Sequence, residues 1–487
     1  MILRLLGWVY AAAFYSAARQ LGPLIGAKGI LPVGEFLDFL VRSWGSKQVA
    51  FWHYPSVFWF GHSDGALLAV SWIGFGISVL VMLGWANVPI MAVLWALYMS
   101  IVHVGQTWYA YGWETQLLET GFLAIFLCPL IDARPFSRHE PPLPTVWLFR
   151  WLIFRIMLGA GLIKLRGDVA WRDLTALYYH FETQPLPNGL SRWFHFLPHG
   201  VLKGGVVMNH LAEVVAPFFV FWPRRGRLIA GGVIVLFHVI LILSGNLSFL
   251  NWLTIVPALA CFDDQAWLAV MPFLRQTWEK AVAEPLMHFG MRCCVWVIVA
   301  VVIVLSYSPV MNLLSPNQVM NTSFTWFDLV NTYGAFGSVG RERLTVVFEG
   351  TDSVDLVKPE WKPYLYVAQP VDVNERPRQV APYQPRLDWA MWFAAMDTYQ
   401  EYPWTLHVVW KLLRNDPGTL SLFRSNPFPD RPPKFIRVEL YRYHFARPGE
   451  APGRWWDRED LGHWLRPLSV NTQPLREFME RAGWLEK

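Results

Sequence analysis

The chain has 487 residues, 54% of them hydrophobic and only 16% charged, with a formal net charge of +5. A soluble domain averages roughly 25% charged residues, so a protein that is soluble throughout is excluded. Residues 1–319 hold 20 Lys+Arg and 15 Asp+Glu, while residues 320–487 hold 21 of each. The positive excess therefore sits in the apolar part, where it suits loops at an anionic leaflet and calls for no nucleic-acid partner.

Apolar stretches at 3–21, 65–84, 88–108, 113–131, 147–165, 204–222, 228–244, 250–262 and 290–313 predict a polytopic α-helical membrane bundle of about nine spans over residues 1–314. The lipid bilayer is thus its first partner. The eighth stretch is short and reads as a re-entrant or half-helix between Asn246 and Phe262. The first has no small-residue cleavage motif and reads as a retained span. The 28 Trp suit membrane–water interfaces.

Basic clusters set the expected orientation. Arg224, Arg225 and Arg227 are the densest and are expected in the cytoplasm, with Arg134 and Arg138, and with Arg275, Lys280 and Arg292, on the same side. That places the N-terminus in the cytoplasm, and loops 22–64 and 166–203 with the C-terminal domain outside. Loop 166–203 is too long and too aromatic for a plain connector. Its run Tyr178, Tyr179, His180, Phe181, Glu182 and Gln184 is the expected client-binding segment, with His180 and Glu182 exposed and an interfacial helix nearby.

Beyond Ser315-Pro316 the composition is globular. Residues 343–349, 363–368 and 435–443 alternate as strands, 386–400 and 404–414 read as helices, and 470–487 suggests one more amphipathic helix. A soluble α+β domain with a small antiparallel sheet is expected over 320–487.

Cys128, Cys261, Cys293 and Cys294 all lie in apolar segments. No CxxC occurs, so a thioredoxin-like role has no support, and the C-terminal domain can hold no disulfide. No nucleophile elbow, P-loop or HExxH pattern is present, and no cofactor is implied. What demands explanation is charge inside spans. Glu114, Gln116 and Glu119 fall in the fourth, Arg155 and Lys164 in the fifth, His210 and Glu213 in the sixth, and His238 in the seventh. Either these groups pair within the bundle, as Glu119 could with Arg155, or they line a polar cavity; their number in neighbouring spans points to the cavity. His210 and Glu213 share a helix face, but two ligands do not make a metal site. Asn246-Leu-Ser and Asn321-Thr-Ser match the glycosylation pattern.

The runs Gly112-Trp-Glu-Thr-Gln-Leu-Leu-Glu-Thr-Gly-Phe, Phe149-Arg-Trp-Leu-Ile-Phe-Arg-Ile-Met-Leu-Gly-Ala-Gly-Leu-Ile-Lys-Leu-Arg-Gly-Asp and Tyr179-His-Phe-Glu-Thr-Gln-Pro-Leu-Pro resemble hallmarks of the lipase maturation factor family. So do Ser244-Gly-Asn-Leu-Ser-Phe-Leu-Asn-Trp-Leu-Thr-Ile, Asn331-Thr-Tyr-Gly-Ala-Phe-Gly-Ser-Val-Gly-Arg-Glu-Arg and Pro385-Arg-Leu-Asp-Trp-Ala-Met-Trp-Phe-Ala-Ala. The resemblance implies a folding factor, not a hydrolase, with a secreted lipase-like client. It implies the endoplasmic reticulum membrane in animals, or the inner membrane in a bacterium, since this chain has the length of the bacterial relatives. Ala160-Gly-Leu-Ile-Lys164-Leu also resembles the segment holding the catalytic lysine of vitamin K-dependent γ-carboxylase and its transmembrane relatives. That implies an alternative, a membrane-embedded enzyme acting on a lipid-soluble cofactor or a client side chain, with Lys164 as base and Glu119, His210 and Glu213 around it. A structural or snorkelling Lys164 is the competing reading.

Overall fold

A computed structural model describes residues 1–132, 134–135, 140–274, 289–450 and 452–485. Of the expected orientation anchors, Arg138, Arg275 and Lys280 lie outside these residues. The helices that matter below are α1 (Ile2–Ile25), α2 (Val33–Trp44), α3 (Lys47–His53), α4 (Asp64–Leu83), α5 (Val88–Val104), α6 (Gly112–Ile125) and α7 (Leu143–Gly167), then α8 (Leu177–Thr183) and α9 (His199–His210). A π turn (Leu211–Val215) joins α9 to α10 (Ala216–Phe219), followed by α11 (Arg224–Ser244), α12 (Leu250–Ala258) and α13 (Phe289–Leu305). Pro217 has no N–H to donate back along the helix, and the π turn falls where that bond is missing.

The expected nine crossings are not what the helices support. Among the described residues four helices are long and apolar enough: Asp64–Leu83, Leu143–Gly167, Arg224–Ser244 and Phe289–Leu314. The pair Leu250–Cys261 and Asp264–Val270 makes up to five, bent by 115° where the sequence suggested a half-helix. Length explains much of the shortfall. A crossing needs about 20 residues, but α6 has 14 and α12 has 9. Helix α1 has 24 residues but carries Arg4, Ser16, Arg19 and Gln20, and much of it is buried. Helix α7 is the central one, with 67% of its apolar window buried, against 28% for α4 and α11.

Contacts sort the helix ends into two sets. At one end Arg224 and Arg227 pair with Asp263, Arg150 donates to the Ala260 carbonyl, and Asn87 reaches the Asp132 carbonyl. At the other end the Ala27 N–H meets Asp64, His103 bridges Pro55 and Asp328, and Arg166 donates to the Leu313 carbonyl.

The C-terminal region forms a four-stranded antiparallel sheet in the order β2-β1-β3-β4, with β1 (Arg343–Thr351), β2 (Lys362–Pro363), β3 (Phe435–Phe445) and β4 (Trp456–Leu468). Strand β1 pairs with β3 from Arg343↔Tyr443 to Thr351↔Phe435. The expected strand at 363–368 shrinks to two edge residues and one bridge, Leu365↔Ser425, as suits a segment whose Pro363 lacks a donor. Helices α14 (Arg386–Ala394), α15 (Trp404–Leu412) and α16 (Gln473–Arg481) lie where periodicity placed them. One apolar cluster runs unbroken from Leu6 in α1 to Met479 in α16. Polar ties cross the same boundary: Gln20 donates to the Gln384 carbonyl (2.7 Å), Lys411 to the Lys28 carbonyl (2.8 Å), and Trp484 to Glu35 (3.0 Å).

Candidate functional site: buried ion pairs and the outer loop

The charges inside the apolar region fall into three paired clusters with different partners. Glu119 on α6 pairs with Arg155 on α7, both about 2% exposed. Arg155 Nη1 also donates to the Asn331 carbonyl (2.6 Å), while Glu119 Oε2 accepts from the Asn331 N–H (3.0 Å) and from Tyr333 Oη (2.6 Å). The segment after the last apolar helix is thus held by the ion pair within the bundle. The pairing named from sequence is present, and its third and fourth members come from the Asn331-Thr-Tyr motif.

Glu114, one turn earlier on α6, faces Arg386 of α14 at 2.8 Å, and neither is accessible. Tyr98 Oη and Trp113 Nε1 donate to the same carboxylate. Arg386 Nη1 also donates to the Trp108 carbonyl (2.6 Å). Gln116 lies between these clusters in sequence and takes neither charge, donating instead to Thr254 Oγ1 at 3.0 Å.

Lys164 is 4% exposed and sits between both oxygens of Glu213, at 2.5 and 2.7 Å, with the Trp171 ring 5.3 Å away. It does not snorkel. Asn209 donates to the same carboxylate at 3.0 Å. The approach depends on glycine: a Cβ on Gly161 would stand 2.7 Å from Val214 Cγ2, and one on Gly159 would stand 2.4 Å from the Tyr333 carbonyl. The pair Gly159 and Gly161 therefore lets α7 touch the π turn on one side and the 331–333 segment on the other. His210 meets the Trp171 carbonyl (2.9 Å) rather than Glu213. His238 lies against Asn251 Oδ1 (3.2 Å) and Met157 Sδ (3.4 Å). Among the described residues no group of three or more His, Cys, Asp or Glu side chains could hold a metal.

The outer loop departs most from expectation. His180, Phe181, Glu182 and Gln184 are all buried, which overturns the exposure expected for His180 and Glu182. Glu182 accepts from the Phe445 N–H (2.7 Å) and contacts His444 Nδ1 (3.0 Å), both from β3. Gln184 donates to Ser191 Oγ and to the Ser244 carbonyl. His180 packs against the rings of Phe181 and Phe336, and burial pushes its imidazole down to about 4. Tyr178 and Tyr179 are half-buried, and Trp193, on a short helix at Ser191–His195, is exposed. Asn246 is fully buried, donating to the Pro187 and Arg378 carbonyls and accepting from the Val380 and Ala381 N–H groups, so its side chain is unavailable to a glycan.

Arg343 is the residue that sequence reasoning passed over. It is 1% exposed and donates to the carbonyls of Glu182 (3.0 Å), Gln184 (2.6 Å) and Pro185 (3.1 Å) and to Gln369 Oε1 (2.7 Å). It ends the Asn331–Arg343 motif, and an Arg as the first residue of a strand as apolar as Leu-Thr-Val-Val-Phe was the available signal.

A family model described as the lipase maturation factor transmembrane domain matches residues 1–269, and one described as the lipase maturation factor C-terminal domain matches residues 329–466. The chain is 45% identical to Lipase maturation factor 1 of Bos taurus, over 99% of this chain and 91% of the relative. The chain belongs to the lipase maturation factor family. Lipase maturation factor 1 of Homo sapiens is 44% identical over 99% of this chain and 89% of its own length, and human Lipase maturation factor 2 is 28% identical over 98% and 84%. No solved structure matches the chain. As a member of this family with helices apolar and long enough to cross a bilayer, it is an integral membrane protein.

Proposed function

We propose that this protein is a membrane-held maturation factor that helps secreted lipases reach their active, assembled form. The observation that carries this reading is the 45% identity to Lipase maturation factor 1 across 99% of the chain. The positive-inside rule places Arg134, Arg224, Arg225 and Arg227 in the cytoplasm. The opposite end, with loop 166–203 and the C-terminal sheet, then faces the lumen of the endoplasmic reticulum, or the periplasm in a bacterium, where a secreted client is met. Tyr178, Tyr179 and Trp193 are the client-contacting side chains we infer from their position on the loop surface. His180, Phe181, Glu182 and Gln184 hold that surface in place from beneath. Bulky aromatic groups suit this role because they carry much of the energy of protein contacts.

The test is secretion of active lipase from cells that lack a maturation factor of their own. Adding this protein should raise lipase activity per unit of secreted lipase. Tyr178→Ala with Tyr179→Ala and Trp193→Ala should leave the protein's own abundance unchanged and remove most of the gain. No gain from the native chain overturns the function, and full gain from the triple variant overturns the contact surface. Lys164→Met with Glu213→Gln removes both charges together and should keep the gain; its loss in a folded variant would return Lys164 to chemistry.

A further inference from the structure

An open groove of about 570 Å³ lies between Asn188–Leu190 of the outer loop and Arg376–Gln379 of the C-terminal region. The Arg376 guanidinium lies over Gly189, where a Cβ would stand 2.5 Å from Arg376 Nε. The Trp455 ring carries two guanidiniums, Arg376 at 5.6 Å and Arg192 at 4.8 Å. Arg192 is 6% exposed and donates to the Arg454 carbonyl (3.2 Å), and among the described residues its Nε has no hydrogen-bond partner. Of the nearby carboxylates, Glu375 pairs with Arg378 and Arg424, and Asp457 pairs with Arg454 and acts on Arg192. Of the two arginines that line the groove, Arg378 is thus paired, and Arg376 has no carboxylate partner among the described residues.

Its position identifies the anion. Asn188 donates to the Leu243 carbonyl (3.0 Å), Ser191 to the Ser244 carbonyl (2.7 Å), and Asn246 to the Arg378 carbonyl (2.7 Å), so the groove is pinned to the last turn of α11. Along that helix Ile229, Leu236 and Leu243 are exposed, two turns apart each time, and make an apolar stripe that ends at the groove. Exposed Leu190 stands beside it. An aromatic ring beside an arginine above a lipid-facing stripe suits the headgroup level of a bilayer, here the leaflet opposite the Arg224–Arg227 end of α11.

We propose that this groove binds the phosphate of an acidic phospholipid whose acyl chains lie along the Ile229–Leu243 stripe. Arg376 supplies a planar donor pair to the phosphate oxygens, and Gly189, lacking a Cβ, lets that guanidinium lie across the loop. An acidic peptide would match the guanidiniums but not the apolar stripe that continues from them. The proposal rests on α11 crossing the bilayer and is independent of the client.

The experiment is thermal unfolding of the full chain in detergent micelles, titrated in separate arms with phosphatidylglycerol, phosphatidylcholine, inorganic phosphate and a poly-glutamate peptide. Phosphatidylglycerol should raise the Tm of the native chain more than phosphatidylcholine does. In Arg376→Ala the half-saturating phosphatidylglycerol concentration should be roughly fivefold higher. Gly189→Leu keeps every charge but displaces the Arg376 guanidinium from the loop, and should weaken the lipid similarly. Equal protection of the native chain and both variants overturns the site. An Arg376-dependent shift from inorganic phosphate or poly-glutamate, with none from phosphatidylglycerol, overturns the lipid.

Discussion

Replacing Arg343 with Met keeps the length and apolar stem of the side chain and removes the fork that grips loop 182–185. Four hydrogen bonds are lost, at 3.0, 2.6, 3.1 and 2.7 Å, and three of their acceptors are backbone carbonyls. A hydrogen bond involving a charged group contributes about 1.5–3 kcal/mol, and an orphaned buried acceptor costs about 1–3 kcal/mol. These terms overlap, because the carbonyls partly recover water once the loop loosens. The expected loss is about 3–5 kcal/mol, several such bonds discounted for that overlap. Two measurements check it on the full chain in detergent: thermal unfolding, and limited proteolysis mapped to residues 182–190. A lowered Tm with new cleavage in that segment is expected, because Arg343 ties the loop to β1. Arg343→Lys keeps the charge but not the fork, and should recover only part of the loss. A cost under about 1 kcal/mol with an unchanged cleavage pattern would refute the clamp and show that the loop is held by Glu182 and Gln184 alone.

For the Glu119–Arg155 pair, Arg155→Met should cost about 3–5 kcal/mol in Tm-derived stability, because it strands a buried carboxylate. Adding Glu119→Gln should restore much of that, and an additive double variant would show the pair to be uncoupled. Gly161→Val places a branched side chain 2.7 Å from Val214 and should lower the yield of folded protein more than Gly161→Ala; equal yields would contradict the close approach of α7 to the π turn. Asp388 on α14 is fully buried, and its Oδ2 takes the Ala368 and Gln369 N–H groups while Oδ1 has no hydrogen-bond partner among the described residues. Burial pushes this carboxyl up to about 7. A folded-state value above the unfolded one, about 3.9, means that its contribution is full below about pH 4 and is lost as pH rises through 7. Stability should therefore fall between pH 5 and pH 8 by up to about 2.5 kcal/mol from this group, and Asp388→Asn should flatten that slope; an unchanged slope refutes the assignment.

Much of the outline was legible along the chain because it depends on local signals. Hydropathy located the apolar helices, and the 3.6-residue period of Trp404–Leu412 placed α15. Alternation placed β1 and β3 but missed β4, the 13-residue edge strand Trp456–Leu468. Seven residues of that strand in succession, Asp457–His463, face solvent, so no alternation marks it.

What composition determined by itself is that this chain enters a bilayer and carries a globular C-terminal region, because apolar excess and charge are sums over residues. Which charge meets which partner was decided only in three dimensions. Glu114 finds Arg386 across 272 positions and Glu182 finds the Phe445 N–H across 263, separations over which one strand of sequence carries no pairing signal. The same closure buries His180 and Glu182, whose polar side chains read as surface until Phe336 covers the first and β3 the second. A buried charge is costly without its partner, so the fold that brings the partners together is also what makes these residues tolerable.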